Sequence, residues 1–214
     1  MAIEILDSPW DMTPHLPKIS AQGGKTIIRY IDHKNSTVLP QKLILPAEAA
    51  AIHAAGLKLA LVFEQDTRTV GSMTQSEGTK AADRAYSYST QTLNRPAGRP
   101  VYFAVDFDAA HTSDLKAVAT YFQAVNTRVA ASPGGLAGMP VGVYGSGLVC
   151  ETLRAAGLAT FFWVAQSTGW ADYHRFLASQ KWHILQGFRK SADGLNFDYD
   201  PVFSNAGLPD FGAF

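Results

Sequence analysis

The sequence lacks the features that mark several common classes of protein. Only one of its 214 residues is cysteine, so an internal disulfide is excluded, and with it a small scaffold held together by disulfides. Lysine plus arginine and aspartate plus glutamate number 18 each, which gives a formal net charge of zero. Binding to nucleic acid phosphates needs a basic surface. Because no basic excess supplies one, the sequence predicts no nucleic-acid partner.

Long apolar runs are also missing. The longest, such as Leu57 to Phe63, fall far short of the roughly 20 residues that span a bilayer, so no membrane span is expected. Residues Met1 to Asp7 include an acid at the fourth position and lack the cationic and apolar segments of a signal peptide. The default expectation for localisation is the cytoplasm, and export or release by lysis stays open.

What the sequence does contain is enough apolar material for a core of its own. Hydrophobic side chains make up 47% of the chain, and we expect residues 1–214 to form a single domain and a monomer. No repeat, charge run or linker divides it. The stretch from Ser132 to Gly138 is interpreted as a long turn, because its Pro-Gly-Gly sequence is typical of turns.

Short apolar runs rich in strand-forming residues alternate with helical patterns, as in an α/β domain with a mainly parallel sheet. The runs that predict strands are Ile3 to Leu6, Thr26 to Ile31, Leu57 to Phe63, Val101 to Phe107, Pro140 to Tyr144, Phe161 to Ala165, His183 to Leu185 and Asn196 to Tyr199. The predicted helices are Pro46 to Ala55, Ser76 to Leu93, Ser113 to Ala131, Gly147 to Ala156 and a short one near Asp172 to Ser179. Since helices become scarce after the sixth run, the prediction is a (β/α)8-type TIM barrel reduced in helices in its C-terminal half.

Acidic residues stand at the C-terminal ends of these predicted strands. They are Asp7, Asp32, Glu64, Asp106 with Asp108, and Asp198 with Asp200. In a parallel barrel these ends converge on one rim, where the fold places its chemistry. Alternate residues of a strand share a face, so the Cα atoms of Asp106 and Asp108 would lie roughly 6.5 Å apart and both side chains would reach one cavity. On the last strand Asp198 is favoured over Asp200, because only the deeper acid needs to face the pocket.

Carboxylates gathered around a pocket of low dielectric repel one another, which raises at least one pKa and leaves an acid beside a base. Glycosidic bond cleavage needs such a pair. Aromatic and amide side chains are expected on the same rim, where they suit the apolar faces and hydroxyl edges of sugars, although some will belong to the core. They are Tyr30, Tyr102, Tyr144, Trp163, Gln166, Trp170 and Gln186.

Several segments, taken together and in order, resemble a known family. They are Val101 to Asp108, Pro140 to Ser146, Phe162 to Ala165, Trp182 to Gln186 with Gly194, and Phe197 to Asp200. They are similar to the glycoside-hydrolase-like barrels called domain of unknown function 1906, which in turn resemble the family-25 glycoside hydrolases, the lysozymes. The resemblance implies a partly helix-depleted β/α barrel and a peptidoglycan or related polysaccharide ligand.

The resemblance also assigns roles to individual acids. Lysozymes of that kind have an acid ending the first strand, an Asp-x-Glu pair ending the fourth and an Asp on the last, which Asp7, Asp106 and Asp198 match. Asp108 stands where those lysozymes have Glu as the proton donor. Because Asp is one methylene shorter and a displacement of about 1 Å can cost on the order of a hundredfold in rate, this departure predicts weakened lysozyme activity.

The leading hypothesis is a glycoside hydrolase with Asp106 and Asp108 as its carboxylate pair, supported by Asp7 and Asp198 through electrostatics or water positioning. The predicted substrate-binding residues are Glu64, Asp32, Tyr30, Tyr144, Trp163, Gln166 and Gln186. The first alternative is a carbohydrate-binding barrel without catalysis. A minor alternative is a magnesium-dependent phosphatase, because Val105 to Ala109 contains the Asp-x-Asp pattern.

Structural roles are the competing interpretation for each acid. Asp106 and Asp108 would then cap the next helix, Asp7 would be a turn residue, and Asp32 and Glu64 would pair with Lys34 or Arg68 in a solvated loop. The six histidines show no spacing typical of metal ligands, so neither a metal nor another cofactor is predicted.

Overall fold

A computed structural model describes residues 4–32, 37–188, 190, 191 and 198–214, with the side chains of 190, 191, 198 and 199 outside the description. Its strands are β1 (Ile5–Asp7), β2 (Thr26–Ile31), β3 (Lys58–Phe63), β4 (Val101–Ala104), β5 (Val141–Gly145), β6 (Phe161–Val164), β7 (Ile184–Gln186), β8 (Lys190–Ser191) and β9 (Asp198–Ser204). Its α-helices are α1 (Leu16–Ala21), α2 (Pro46–Ala54), α3 (Gln75–Tyr86), α4 (Thr112–Ala130), α5 (Gly135–Gly138), α6 (Gly147–Ala155) and α7 (Tyr173–Ala178).

Eight of the described strands close into a barrel. Strands β1 to β7 follow one another around it, each parallel to the next. Strand β9 fills the gap between β7 and β1 and runs antiparallel to both. The predicted α/β barrel of eight strands is therefore confirmed, whereas the parallel direction predicted for the last strand is wrong. A parallel crossover needs a dozen or more residues, and the segment between β7 and β9 is shorter and pairs its β8 portion with β9.

The direction of β9 changes which of its residues meet the rim. An antiparallel strand brings its first residues, not its last, to the edge where the parallel strands end. Asp200 accordingly stands opposite Asp7 in the register, and Val202 opposite Ile5. The sequence prediction placed the strand at Asn196 to Tyr199; residues 196 and 197 lie outside the described part, and the strand continues to Ser204.

Apolar side chains fill the inside of the barrel. The buried members of this inner cluster are Ile5, Ile28, Ala60, Val62, Tyr102, Ala104, Trp163, Ile184, Val202, Phe211 and Ala213. The hydroxyl of Tyr102 donates to the carbonyl of Phe211 at 2.8 Å, in the C-terminal segment that covers the N-terminal ends of the strands. The prediction that Tyr102 lies at the rim is therefore wrong, because it points to the opposite end.

A second apolar layer lies between the sheet and the helices. Helices α3 and α4 pack so closely that a Cβ added at Gly78 would lie 2.4 Å from the carbonyl oxygen of Tyr121. Side-chain oxygens cap the N-termini of two helices. Thr74 accepts a hydrogen bond from the N–H of Glu77 before α3, and Ser146 accepts one from the N–H of Val149 before α6, each at 3.2 Å.

The part of the chain after β6 is poor in helix, as the spacing after the sixth run predicted. Helix α7 has six residues, and no helix is described between β7 and β9. Among the described helices, none combines the length and the apolar character needed to cross a bilayer. Strand β4 ends at Ala104, three residues before the predicted end at Phe107, so Asp106 and Asp108 lie in the loop that follows it.

Candidate active site

A pocket of about 210 Å³ opens at the rim formed by the C-terminal ends of the parallel strands. Its lining residues are Asp7, Pro9, Tyr30, Leu39, Lys42, Val62, Glu64, Arg68, Asp106, Tyr144, Trp163, Gln166, Gln186 and Asp200. Two of the predicted site residues whose side chains are described, Asp32 and Asp108, are not among them. The barrel therefore gathers most of the predicted set, although the residues are far apart in the chain.

Asp7 lies at the floor of this pocket, at the end of β1, and is 1% exposed. Its Oδ2 atom accepts a hydrogen bond from the hydroxyl of Tyr30 at 3.1 Å and another from Nε2 of Gln186 at 3.2 Å. The same Nε2 donates to Oδ2 of Asp200 at 3.1 Å. Burial, with the neighbouring Asp200 carboxylate adding to it, raises the pKa of Asp7 to about 8.

Gln186 is held by its carbonyl as well as by its amide nitrogen. Oε1 accepts from the hydroxyl of Tyr144 at 2.8 Å and from the backbone N–H of Gln166 at 3.4 Å. Because both of these partners are donors, the nitrogen of the amide must face Asp7 and Asp200. The side-chain amide of Gln186, on β7, thus connects the ends of β5, β1 and β9 by hydrogen bonds.

Asp106 reaches the pocket from the loop after β4. Its backbone N–H donates to the carbonyl of Thr67 at 3.0 Å, which fixes the loop, and its Oδ2 lies 3.6 Å from Nε of Arg68. Its side chain is 29% exposed. Burial and the Glu64 carboxylate raise the pKa of Asp106 to about 6, against the opposing effects of Arg68 and Lys42.

A buried lysine neutralises part of the acidic rim. Nζ of Lys42 lies 3.2 Å from Oε1 of Glu64 and 3.5 Å from Oδ2 of Asp32, and it stands over the ring of Tyr30 at 4.9 Å from the centroid. Burial raises the pKa of Asp32 to about 6, and Lys42 opposes that shift. Asp32 lies behind the pocket and accepts from the backbone N–H of Glu64 at 3.3 Å.

Lys42 therefore takes the place of the partners that the structural interpretation expected for Asp32 and Glu64. Arg68 pairs with Asp106 instead, and Lys34 lies outside the described residues.

Asp108 does not join Asp106 at the pocket. Its Oδ1 accepts a hydrogen bond from the backbone N–H of Ala171 at 3.0 Å, in the segment before α7. The expectation that the two acids share a face is wrong, because it assumed that the strand continued to Phe107. The minor phosphatase alternative came from the Asp-x-Asp sequence pattern alone and stays a prediction. Asp198 begins β9, and its side chain lies outside the described part.

Aromatic side chains form one wall of the pocket. Tyr144 and Trp163 meet edge to face with ring centroids 4.9 Å apart. The Trp163 side chain is 1% exposed. Its Nε1 atom and Oε1 of Gln166 are buried without a hydrogen-bond partner among the described groups. Trp170, also expected at the rim, is not among the lining residues.

Lys42 and Arg68 line the pocket although the sequence did not predict them as site residues, and on β9 the described lining residue is Asp200, whereas the sequence favoured Asp198. Both cations lie in irregular segments, where no periodicity marks a residue as inward-facing. The alternation along the last strand grouped Asp200 with Asp198, and only the strand direction separates them. Among the described residues no cluster of three histidine, cysteine or acidic side chains is arranged to hold a metal ion.

The family follows from comparison of the sequence with family models. Residues 17–200 match the model described as Rv2525c-like, glycoside hydrolase-like domain. The chain belongs to this family, which confirms the resemblance to glycoside-hydrolase-like barrels.

Known proteins extend the comparison. The uncharacterized protein YbfG of Bacillus subtilis (strain 168) is 29% identical over 173 residues, covering 77% of this chain and 23% of that protein. The chain thus spans about a quarter of the length of that relative.

Solved structures share the fold. The Tat-secreted protein Rv2525c of Mycobacterium tuberculosis, crystallised with L-tartrate, superposes with a TM-score of 0.75 at 20% identity, covering 98% of this chain and 97% of that one. The catalytic domain of endolysin ply40, from bacteriophage P40 of Listeria monocytogenes, gives a TM-score of 0.52 at 11% identity, with coverage of 97% and 95%.

Proposed function

We propose that the protein is a glycoside hydrolase that cleaves peptidoglycan or a related polysaccharide at the rim pocket. One observation carries the proposal: four acids that lie on or after four different strands, Asp7, Glu64, Asp106 and Asp200, line one small cavity beside aromatic rings. Glycosidic cleavage requires one carboxyl group to protonate the leaving oxygen and another to act at the anomeric carbon. The fold shared with an endolysin catalytic domain supports the choice of a cell-wall polysaccharide.

The groups of the pocket divide into two kinds in this proposal. The aspartates perform acid and base chemistry, and Asp106, partly exposed with a pKa raised to about 6, is the base that acts at the anomeric side. Tyr30 and Tyr144 contact the apolar faces of the sugar, and Gln166 and Glu64 bind its hydroxyl groups. Trp163 and Gln186 are buried and position Tyr144, through a ring contact and a hydrogen bond. On β9 we assign the pocket role to Asp200, and a role for Asp198 stays a prediction from the sequence.

Replacement of Asp106 by Asn tests the proposal. The change keeps the size of the side chain and removes its basicity, so we expect release of reducing ends from purified peptidoglycan to fall by about 10² to 10⁴-fold with folding unchanged. Asp83→Asn, on the exposed face of α3 and paired with Arg128, is the matched control and should cleave like the wild type. Equal cleavage by the Asp106 and Asp83 variants would refute the assignment of the base.

A carbohydrate-binding barrel without catalysis is the second candidate. It is favoured by Asp108, which occupies the position of the proton donor in the resembling lysozymes but bonds to the backbone of Ala171 instead of facing the pocket. Calorimetry with muropeptide fragments would then detect binding, while long incubation with peptidoglycan would release no reducing ends. Activity created by Asp108→Glu would favour this candidate further.

A further inference from the structure

The two carboxyl oxygens of Asp7 have different environments. Oδ2 accepts two hydrogen bonds, from the hydroxyl of Tyr30 and from Nε2 of Gln186. Oδ1 is buried and has no hydrogen-bond partner among the described groups, and the side chain lines the rim pocket. A buried carboxylate oxygen without a partner costs free energy, which protonation of that oxygen relieves.

The direction of these hydrogen bonds is fixed by the neighbours. Because Oε1 of Gln186 is engaged by Tyr144 and by the N–H of Gln166, Gln186 presents only N–H groups to Asp7. With Tyr30 as the second donor, the acceptor capacity of Oδ2 is used. A proton on Asp7 therefore belongs on Oδ1, the oxygen without a hydrogen-bond partner among the described groups.

The charged groups that act on Asp7 favour the protonated form. The groups that face it are the Tyr30 hydroxyl from β2, Glu64 after β3, the Gln186 amide from β7 and Asp200 from β9. The two carboxylates oppose ionisation, and burial opposes it more strongly. Lys42 and Arg68 compensate Asp32, Glu64 and Asp106 instead.

We infer that Asp7 is the proton donor of the rim pocket and that it delivers its proton from Oδ1 to the glycosidic oxygen. The inference rests on the proposed function and departs from the sequence-based roles, in which Asp108 was the donor and Asp7 a support. It also explains how the pocket has an acid although Asp108 is turned away from it.

The step balances with water as the second reactant. The bond between the anomeric carbon and the glycosidic oxygen breaks, its electron pair stays with the departing oxygen, and that oxygen takes the proton from Oδ1. The oxygen of water bonds to the anomeric carbon, and its proton passes to Asp106. Asp7 is left as a carboxylate, stabilised by the hydrogen bonds from Tyr30 and Gln186, until it regains a proton from solvent.

Asp7→Asn separates proton donation from the other roles of the side chain. The amide has the shape of a protonated carboxyl group, so its oxygen keeps the bonds to Tyr30 and Gln186 while its nitrogen has no acidic proton to give. We expect cleavage of peptidoglycan to fall at least about a hundredfold. The matching 2,4-dinitrophenyl glycoside, whose leaving group needs no proton, should be cleaved within about tenfold of the wild-type rate. Equal losses on both substrates would overturn the donor role.

Infrared difference spectroscopy locates the proton independently of turnover. The wild type should show a protonated carboxyl band at pH 7 that titrates near pH 8, is missing in Asp7→Asn and persists in Asp106→Asn. Absence of this band overturns the inference. A normal band in a wild type that cleaves no polysaccharide overturns the proposed function and the donor role with it, while the proton on Asp7 stands.

Tyr30→Phe distinguishes the two oxygens. Loss of a donor to Oδ2 destabilises the ionised form, so the band should titrate at a higher pH than in the wild type. A shift to lower pH would mean that the proton of Asp7 is on Oδ2 and is donated in a hydrogen bond to the Tyr30 oxygen. That result would overturn the placement of the proton on Oδ1.

Discussion

At the scale of single residues, the rim of the barrel gives three aspartates of identical chemistry different environments. Asp7 is buried beside Asp200 and has a pKa raised to about 8. Asp32 and Asp106 are each balanced by a cation, and their pKa values rise only to about 6. Carboxyl groups with different pKa values can act at one pH as an acid and as a base, because one is protonated while the other is ionised.

The raised pKa of Asp7 predicts a change of stability with pH. Between about pH 4 and pH 8 the folded state holds a proton on Asp7 that the unfolded state releases, so the free energy of unfolding falls as the pH rises. The slope is at most about 1.4 kcal/mol per pH unit for one proton. Asp7→Asn abolishes this contribution, so its stability relative to the wild type should increase up to pH 8 and level off above it.

Urea denaturation at several pH values measures this difference. Asp106→Asn is the matched control, and its relative gain should level off near pH 6 because the pKa of Asp106 is lower. A constant difference between Asp7→Asn and the wild type from pH 4 to pH 8 would show that the folded protein leaves Asp7 ionised.

Part of this chemistry was predictable from the sequence alone. Asp7 and Glu64 directly follow apolar runs, and a strand end is marked clearly by a change from apolar to acidic residues. The place of Lys42 was not predictable, because its segment has no regular period and is held by Arg29 and by a bridge between Tyr30 and Leu43. Such tertiary contacts leave no local pattern.

At the scale of the elements, a buried ion pair connects β2 and α2 to the rim segment, which comprises Gln41 to Leu43. Arg29 and Glu48 are 0% and 4% exposed, with Nε and Oε1 2.7 Å apart. The guanidinium also donates to the carbonyl oxygens of Ser8 at 2.6 Å and Gln41 at 2.7 Å, so it connects the loop after β1 with the rim segment.

Arg29→Met should destabilise the protein by about 3 to 5 kcal/mol, because it leaves Glu48 buried without its cation and frees the carbonyls of the rim segment. Urea denaturation measures the effect. Lys25→Met, which breaks the exposed pair with Glu4, should change stability far less. Similar losses from both variants would mean that the buried pair contributes no more than a surface one.

The elements also show where pattern reasoning ends. Strands such as Thr26–Ile31 and helices such as α4 follow from apolar runs and helical periodicity, and their bounds agree with the prediction to within one residue. The end of β4 was missed because Val105 is as apolar as the strand before it. The direction of β9 was missed because a strand has the same alternation when it is read either way.

At the scale of the whole molecule, the two ends of the barrel differ in chemistry. The rim end has the acidic pocket, and the opposite end is covered by the C-terminal segment, where Phe214 exchanges backbone hydrogen bonds with Leu59 at 2.6 and 2.9 Å. A cavity of about 660 Å³ at that end is lined by residues including the paired Arg99 and Asp210.

Two glycine substitutions test how tightly this segment closes the barrel. Gly212 and Gly56 have φ angles of +86° and +75°, which cost an alanine about 1 to 2 kcal/mol. A Cβ at Gly212 would lie 2.0 Å from Cδ of Pro100, whereas one at Gly56 meets nothing within 4 Å. Gly212→Ala should therefore lower the free energy of unfolding by about 1 to 3 kcal/mol more than Gly56→Ala. Equal effects in thermal denaturation would show that the C-terminal segment is loosely packed.

The pairing of Phe214 with Leu59, near the start of β3, has a practical consequence for how the protein can be handled. A bead, chip surface or fluorophore coupled through position 214 would sit on the face opposite the mouth of the pocket. Immobilised molecules would then present that mouth outward, where even a large insoluble polymer can reach it.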